Sequence, residues 1–250
     1  MIKSLLYNNM LPKVIFLIIS SNDNETYEEF RNLHRVYLKN YRPLIKYFFV
    51  EFRENQGDLV IEENDFIYVK GRESINPGMI LKTCKAIEYI NTFYKYEFIV
   101  RTNLSTLFHI PNLIEYLHII PNTNSCGGFN YRSFITGTGI IISRDVGNQI
   151  VDNFLKYDIT KYNEDIVISA LLNKFKTPYF NCKQFYKWGL IIDEKPEDYG
   201  EYYYIATGGV FKDIDFPDDI LHFRIKNSLD RKIDIEYFKL LLKKIYDITV

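Results

Sequence analysis

The chain of 250 residues is 47% hydrophobic and 25% charged, a globular composition that excludes a disordered or fibrous protein and suits one domain with a full core. Lys and Arg number 31 against 32 Asp and Glu, for a formal charge of -1, so no global basic field attracts nucleic acid or an anionic membrane, and any anion must be met locally. Cys84, Cys126 and Cys182 lie far apart without the spacing of a structural zinc site, and read as reduced thiols.

The apolar run VIFLIIS from Val14 is too short for a membrane span, which needs roughly 20 apolar residues. The preceding MIKSLLYNNMLPK has no signal-peptide plan. A soluble, cytoplasmic protein without a membrane span is expected.

KVIFLIISS reads as a buried strand. NDNETYEEFRNLHRVYLKNY follows as a helix, with Asn22 or Asn24 as its cap and Phe30, Leu33 and Tyr37 on one face. IKYFFVEF at 45–52 and DFIYVKG from Asp65 repeat the strand signal. INPGMILKTCKAIEYINTFY then opens with a Pro-Gly turn and continues as a helix with Ile80, Cys84, Ile87 and Tyr94 near one face. The next strand, EFIVRT, ends in the polar tripeptide Asn103-Leu104-Ser105, and LSTLFHIPNL does not open as a clean helix. Beyond residue 120, glycines 127, 128, 137 and 139 surround the strand GIIIS, whose Ser143 is a cap for a helix carrying Val146, Ile150 and Phe154. Another helix begins at Asn163, with Glu164 and Asp165 in its first turn. The stretch from Tyr179 to Phe216 is aromatic and irregular; within it Trp188 suits either the core or stacking on a ligand. DIEYFKLLLKKIY closes the chain as a helix with Ile235, Phe238, Leu242 and Ile245 on one face.

Strands apolar on both faces that alternate with helices predict an α/β fold: a mostly parallel central sheet flanked by helices, within one domain spanning 1–250. Residues 14–120 form a Rossmann-like nucleotide-binding half, and 121–250 a closing half. Ligands of such sheets bind outside the carboxyl ends of strands, where Ser20 and Asn103 fall. Neither G-x-G-x-x-G nor G-x-x-x-x-G-K-[ST] is present, which argues against dinucleotide binding and P-loop hydrolysis.

Five motifs in order carry a resemblance: IISS followed by Arg31 and Arg35, Ile80-Leu81-Lys82-Thr83, Arg101 through Ser105, Cys126-Gly127-Gly128 with Gly137 through Asp145, and Glu164-Asp165-Ile166. Over roughly residues 14 to 170 the chain resembles the GT-A glycosyltransferases, and among them the beta-1,3-galactosyl, beta-1,3-N-acetylglucosaminyl and fringe-like group. The resemblance implies transfer of a hexosyl or pentosyl group, with inversion, from a nucleotide-sugar donor to a hydroxyl of a glycan or glycoconjugate acceptor. Asp165 would be the base that takes the acceptor's proton. Ser20, Lys82, Arg101, Asn103 and Ser105 would meet the donor, with loops at Gly127, Gly128, Gly137 and Gly139 around donor or acceptor, and residues 121–250 would form the acceptor-binding half. The chain departs from the group where its Asp-x-Asp carboxylates would hold Mn2+ or Mg2+ against the donor diphosphate. Asn103 and Ser105 bring oxygen there without charge. Three readings stay open: a metal-independent enzyme with Lys82, Arg101 or another cation on the diphosphate; a metal held elsewhere, with His222 as a candidate ligand; or a sugar- or nucleotide-binding protein without activity. Asn103-Leu104-Ser105 is also a glycosylation sequon, hazardous inside a donor site in a secretory lumen, which favours the cytosol.

Overall fold

The computed structural model describes residues 14–22, 25–131, 134–188, 203–206, 218–226 and 230–250, with the backbone alone at 131, 184–188, 203–206 and 226. The run VIFLII becomes β1 (Val14–Ile19), the centre of an eight-stranded sheet and buried along its whole length. It pairs in parallel with β2 (Ile45–Arg53) on one side and β5 (Phe98–Asn103) on the other. Pleating sends alternate side chains to opposite faces. Phe16 and Ile18 enter one hydrophobic layer, while Ile15, Leu17 and Ile19 enter the other. A strand buried on both faces must be apolar throughout, and this one is.

Outward from β2 come β4 (Phe66–Lys70), in parallel, and β3 (Val60–Glu63), an antiparallel edge strand that the sequence reading did not find. Beyond β5 lies β8 (Phe134–Ser143), antiparallel both to β5 and to the next strand, β7 (Cys126–Tyr131), and then β9 (Tyr179–Asn181), parallel to β7. The sheet order β3-β4-β2-β1-β5-β8-β7-β9 is mixed and mostly parallel, as expected. The helices α2 (Gly78–Phe93), α4 (Arg144–Asn153) and α5 (Glu164–Phe175) cover one face through Ile87, Val146 and Leu171. The other face is covered by α1 (Glu25–Leu38), α3 (Ile110–Ile119) and α6 (Arg231–Tyr246) through Phe30, Leu113 and Phe238.

A second sheet was not foreseen. It runs β11-β10-β12-β6, from β6 (Thr106–Phe108), β10 (Gln184–Trp188), β11 (Tyr203–Ala206) and β12 (His222–Lys226). Its strands are short, and two of them, β10 and β11, come from the region whose periodicity is hidden by its aromatic residues. LSTLFHIPNL divides into β6 and the start of α3, where His109 Nδ1 accepts from the backbone N–H of Asn112 and Pro111 occupies the first turn. Ser143 stands at the cap of α4, but its hydroxyl donates to Asp145 and to the carbonyl of Ser125 instead of capping the helix. Asn24 and the Trp188 side chain lie outside the described residues, as does 207–217.

Candidate functional site

The register of the central strands aligns Ile19 with both Val50 and Asn103, so the chain leaves β1 and β5 at the same edge of the sheet. There a cleft of about 620 Å³ opens, within the ordinary range for a small-molecule site. Ser20 and Ser21 come to it from the end of β1, and Asn103, Leu104 and Ser105 from the end of β5. Glu73, Ser74 and Ile75 come from the loop ahead of α2, and Met79 and Lys82 from α2 itself. Tyr27 of α1, Arg224 of β12 and Arg231 of α6 close the opposite side.

The tripeptide at the end of β5 is a corner that passes the chain from the large sheet to the small one. Leu104 turns inward and is buried, and its carbonyl meets His34 Nε2 of α1 at 2.9 Å. A carbonyl only accepts, so Nε2 carries the proton, leaving Nδ1 to accept from the Tyr37 hydroxyl at 3.3 Å. Thr106 Oγ1 donates to Asn103 Oδ1 at 3.0 Å, and Ile225 donates its N–H to the Ser105 carbonyl at 2.9 Å. With the backbone pinned in this way, the Asn103 and Ser105 side chains are left on the cleft.

Both hold a cation. Arg224 Nη1 donates to Ser105 Oγ at 2.6 Å, to Asn103 Oδ1, and more weakly to Thr106 Oγ1 at 3.4 Å. Across the cleft, Lys82 Nζ donates to the Ser20 carbonyl at 2.7 Å and to both oxygens of Glu73 at 2.9 and 2.7 Å. Burial lowers the Lys82 pKa, with Glu73 opposing. Ser20 Oγ donates to buried Glu51 at 2.6 Å, and Arg31 bonds both groups. Arg31 thus supports the floor of the cleft from behind, as well as pairing with Glu28. Arg35 is held by Asp65 and Glu28.

Of the residues expected at a donor, Ser20, Lys82, Asn103 and Ser105 share this cleft. Arg101 does not line it: its guanidinium forms a buried, two-pronged pair with Glu164 and donates to the Gly137 carbonyl. An arginine inside an apolar strand needed a carboxylate, and the first turn of α5 supplies one. Burial pushes the Glu164 carboxyl up, with Arg101 pulling it back. Asp165, next in sequence, faces another way and is half-buried, its Oδ2 3.4 Å from the N–H of Gly137. The carbonyl of Gly137 accepts from Asn103 Nδ2 at 3.0 Å. One peptide segment therefore joins the acidic pair to the polar corner, and Asp165 is not part of the cleft lining.

Three of the four expected glycines serve packing instead. A Cβ on Gly127 would lie 2.3 Å from the Tyr116 hydroxyl, and one on Gly139 2.7 Å from Phe108. Gly128 has φ of 149°, and its Cβ would sit 2.6 Å from the Gly139 carbonyl. Gly137 does not line the cleft either, but its carbonyl accepts from Asn103, which does. His222 is fully buried, stacked on Phe108 and 3.2 Å from Thr138 Oγ1. Burial, with the charge of Arg224 adding to it, lowers its pKa to about 3. It is a core histidine two residues from the cleft. The sequence reading missed Arg224, although a charged residue in the apolar run ILHFRI carries the same signal as Arg101 in EFIVRT.

The corner does not fit the divalent cation that the resemblance implies. A hard cation takes oxygen ligands that normally include a carboxylate, and among the described residues no cluster of three His, Cys, Asp or Glu could hold a metal. The oxygens of Asn103 and Ser105 already bind a guanidinium. Like charges about 4 Å apart repel by about 4 kcal/mol per unit pair at an effective dielectric near 20.

Neither protein-family models nor curated proteins match the sequence. Among solved structures, a glycosyltransferase involved in the glycosylation of the major capsid of PBCV-1 superposes with a TM-score of 0.50, covering 92% of this chain and 100% of that one at 10% identity. The fold is that of a glycosyltransferase. At this identity the likeness extends to the arrangement of sheet and helices, and the chemistry must be argued from this chain's own side chains.

Proposed function

We propose that the protein is a glycosyltransferase that moves a hexosyl or pentosyl group, with inversion, from a nucleotide-diphosphate sugar to a hydroxyl of a glycan or glycoconjugate. The observation that carries this reading is the cleft where the strands β1 and β5 end, which gathers Ser20, Lys82, Asn103 and Ser105 with Arg224 and Arg231. Cations and hydroxyls grouped at strand ends suit a diphosphate. Tyr27, Ile75 and Met79 give the same cleft an apolar wall for a base or sugar.

In the proposed reaction an acceptor oxygen forms a bond to the anomeric carbon as the bond from that carbon to the phosphate oxygen breaks. The nucleoside diphosphate leaves with the electron pair. Asp165 takes the acceptor's proton; its half-buried carboxylate is bound through the N–H of Gly137, whose carbonyl accepts from Asn103. Among the described residues no helix is long and apolar enough to cross a membrane, in keeping with action on a dissolved donor.

The loss of both carboxylates at residues 103 and 105 favours one alternative, a sugar- or nucleotide-binding protein that does not turn over. Titration and product analysis with UDP-, GDP- and dTDP-sugars separates the two. Transfer or donor hydrolysis that falls by roughly a hundredfold or more in Asp165→Asn, with nucleotide affinity retained, supports the enzyme. Tight binding with no turnover in the unmodified protein supports the alternative.

A further inference from the structure

We infer that the segment 162–166 and the cleft residue Ile75 receive the acceptor, a sugar whose C–H face lies on the Tyr162 ring while a hydroxyl at its edge turns to Asp165. The inference rests on the donor-site reading above and names the place and class of that reaction's second substrate. Two contacts tie this segment to the cleft. On one side the Asn76 side-chain amide meets that of Asn163 at 3.2 Å and, in the orientation that satisfies both its atoms, donates to the Tyr162 carbonyl at 3.3 Å. Asn76 follows Ile75, which lines the cleft from the loop ahead of α2. On the other side Asp165 Oδ2 lies 3.4 Å from the Gly137 N–H, and the Gly137 carbonyl accepts from Asn103, which lines the cleft from the end of β5.

What stands there is apolar and open to water. Of the nine large hydrophobic side chains exposed among the described residues, three are on the two segments that the Asn76 contact joins: Ile75 at 70%, Tyr162 at 49% and Ile166 at 37%. Apolar groups gathered in one place mark a binding surface, whereas single ones scattered over a protein do not. The segment is also braced. Asp158 Oδ1 accepts from the N–H and the hydroxyl of Thr160 at 3.2 and 2.6 Å, closing the turn that leads to Tyr162. Beyond it Val167 donates its N–H to the Asn163 carbonyl at 3.1 Å, and Glu164 is locked on Arg101. A platform set in advance loses less freedom on binding than a loop its ligand must order. A pyranose matches this arrangement: its ring C–H groups form an apolar face that packs on an aromatic ring, and its hydroxyls radiate from the edge toward a carboxylate. Asp165 can accept from one of them, because Oδ1 is bonded by the N–H of Ile166 and Oδ2 by that of Gly137, which leaves lone pairs on both.

The test is saturation-transfer NMR with methyl glycosides of galactose, glucose, N-acetylglucosamine, xylose and fucose, and with a short peptide of Ser and Thr, each in the presence of UDP, GDP or dTDP. The proteins are the unmodified chain, Tyr162→Ala, Tyr162→Phe and, as a control, Phe93→Ala, which removes an exposed aromatic ring at the far end of α2. At least one glycoside is expected to bind, with saturation strongest on the C–H protons of one ring face. Tyr162→Ala should weaken it by roughly tenfold, the loss of one aromatic contact. Tyr162→Phe and Phe93→Ala should retain it, and nucleotide affinity by calorimetry should be the same in all four. Undiminished glycoside binding in Tyr162→Ala overturns the inference, as does an equal loss in Phe93→Ala, a parallel loss of nucleotide affinity in Tyr162→Ala, or saturation of the peptide in place of every glycoside. Nucleotide binding with no glycoside bound also overturns it and leaves the donor-site reading standing. Glycoside binding that depends on Tyr162 in a protein that takes no nucleotide overturns the donor-site reading instead, and binding of neither overturns both. If Tyr162→Ala does not fold, Tyr162→Gln, which keeps an extended side chain at this exposed position, takes its place.

Discussion

Arg101 and Glu164 show how a single buried charge dictates its surroundings. Each is almost wholly removed from water, at 1% and 3% side-chain exposure, and each would be costly alone. Such pairs add little net stability over apolar residues of the same size, yet breaking one leaves an uncompensated charge and costs about 3 to 5 kcal/mol. Glu164→Gln is therefore expected to lower unfolding stability by that order in urea titrations, although Gln keeps the shape. A variant within about 0.5 kcal/mol of the parent, the range of a surface change, would mean that water reaches the pair. The neighbouring Asp165 is half-buried, and under the proposed reaction its change to Asn should affect turnover far more than stability. On the same proposal the two adjacent carboxylates divide into a structural and a chemical one, each with its own readout.

At the scale of elements, the decisive relation is between α1 and the corner after β5. His34 is buried on α1 and reaches 70 residues along the chain to the Leu104 carbonyl. Its ring also packs against Phe238 of α6, which ties both helices to the corner. His34→Leu keeps the apolar contacts but orphans a buried carbonyl, at a cost of about 1 to 3 kcal/mol. It should lower thermal stability and loosen the corner enough to weaken the proposed nucleotide binding as well. His34→Gln, which retains an N–H donor, should recover part of both in parallel melting and titration experiments. Equal behaviour of the Leu and Gln variants would show that the hydrogen bond does not hold the corner.

The whole molecule carries two fully buried histidines, His34 beside the corner and His222 in the small sheet. Burial lowers the pKa of His34 to about 4, opposed by its bond to Leu104, and that of His222 to about 3. In the unfolded chain both return to about 6.5. Below that value the unfolded chain takes up protons that the folded one refuses. Their contribution to stability is thus full above pH of about 6.5 and is lost as the pH falls toward 4 for His34 and 3 for His222. The urea midpoint should decline across that interval, and the decline should be shallower in His34→Gln. A midpoint unchanged from neutral pH to about 4 would contradict the burial of both rings.

Much of the large sheet was legible because β1, β2, β4 and β5 are apolar runs bounded by polar turns, and the helices between them repeat with a helical period in Phe30, Leu33 and Tyr37 or Ile80, Cys84 and Ile87. The small sheet was not, since its strands are three to five residues long and such runs carry no distinct period. By itself the sequence determined the layered α/β plan, the strand ends where ligands belong, and the absence of charge at Asn103 and Ser105, because periodicity and residue chemistry are local properties. Only the tertiary structure decided which cation reaches that corner. Arg101 is the nearer in sequence but is drawn to Glu164, while Arg224, more than a hundred residues away, arrives through the pairing of β12 with β6, and strand pairing across such a distance leaves no mark on the local sequence.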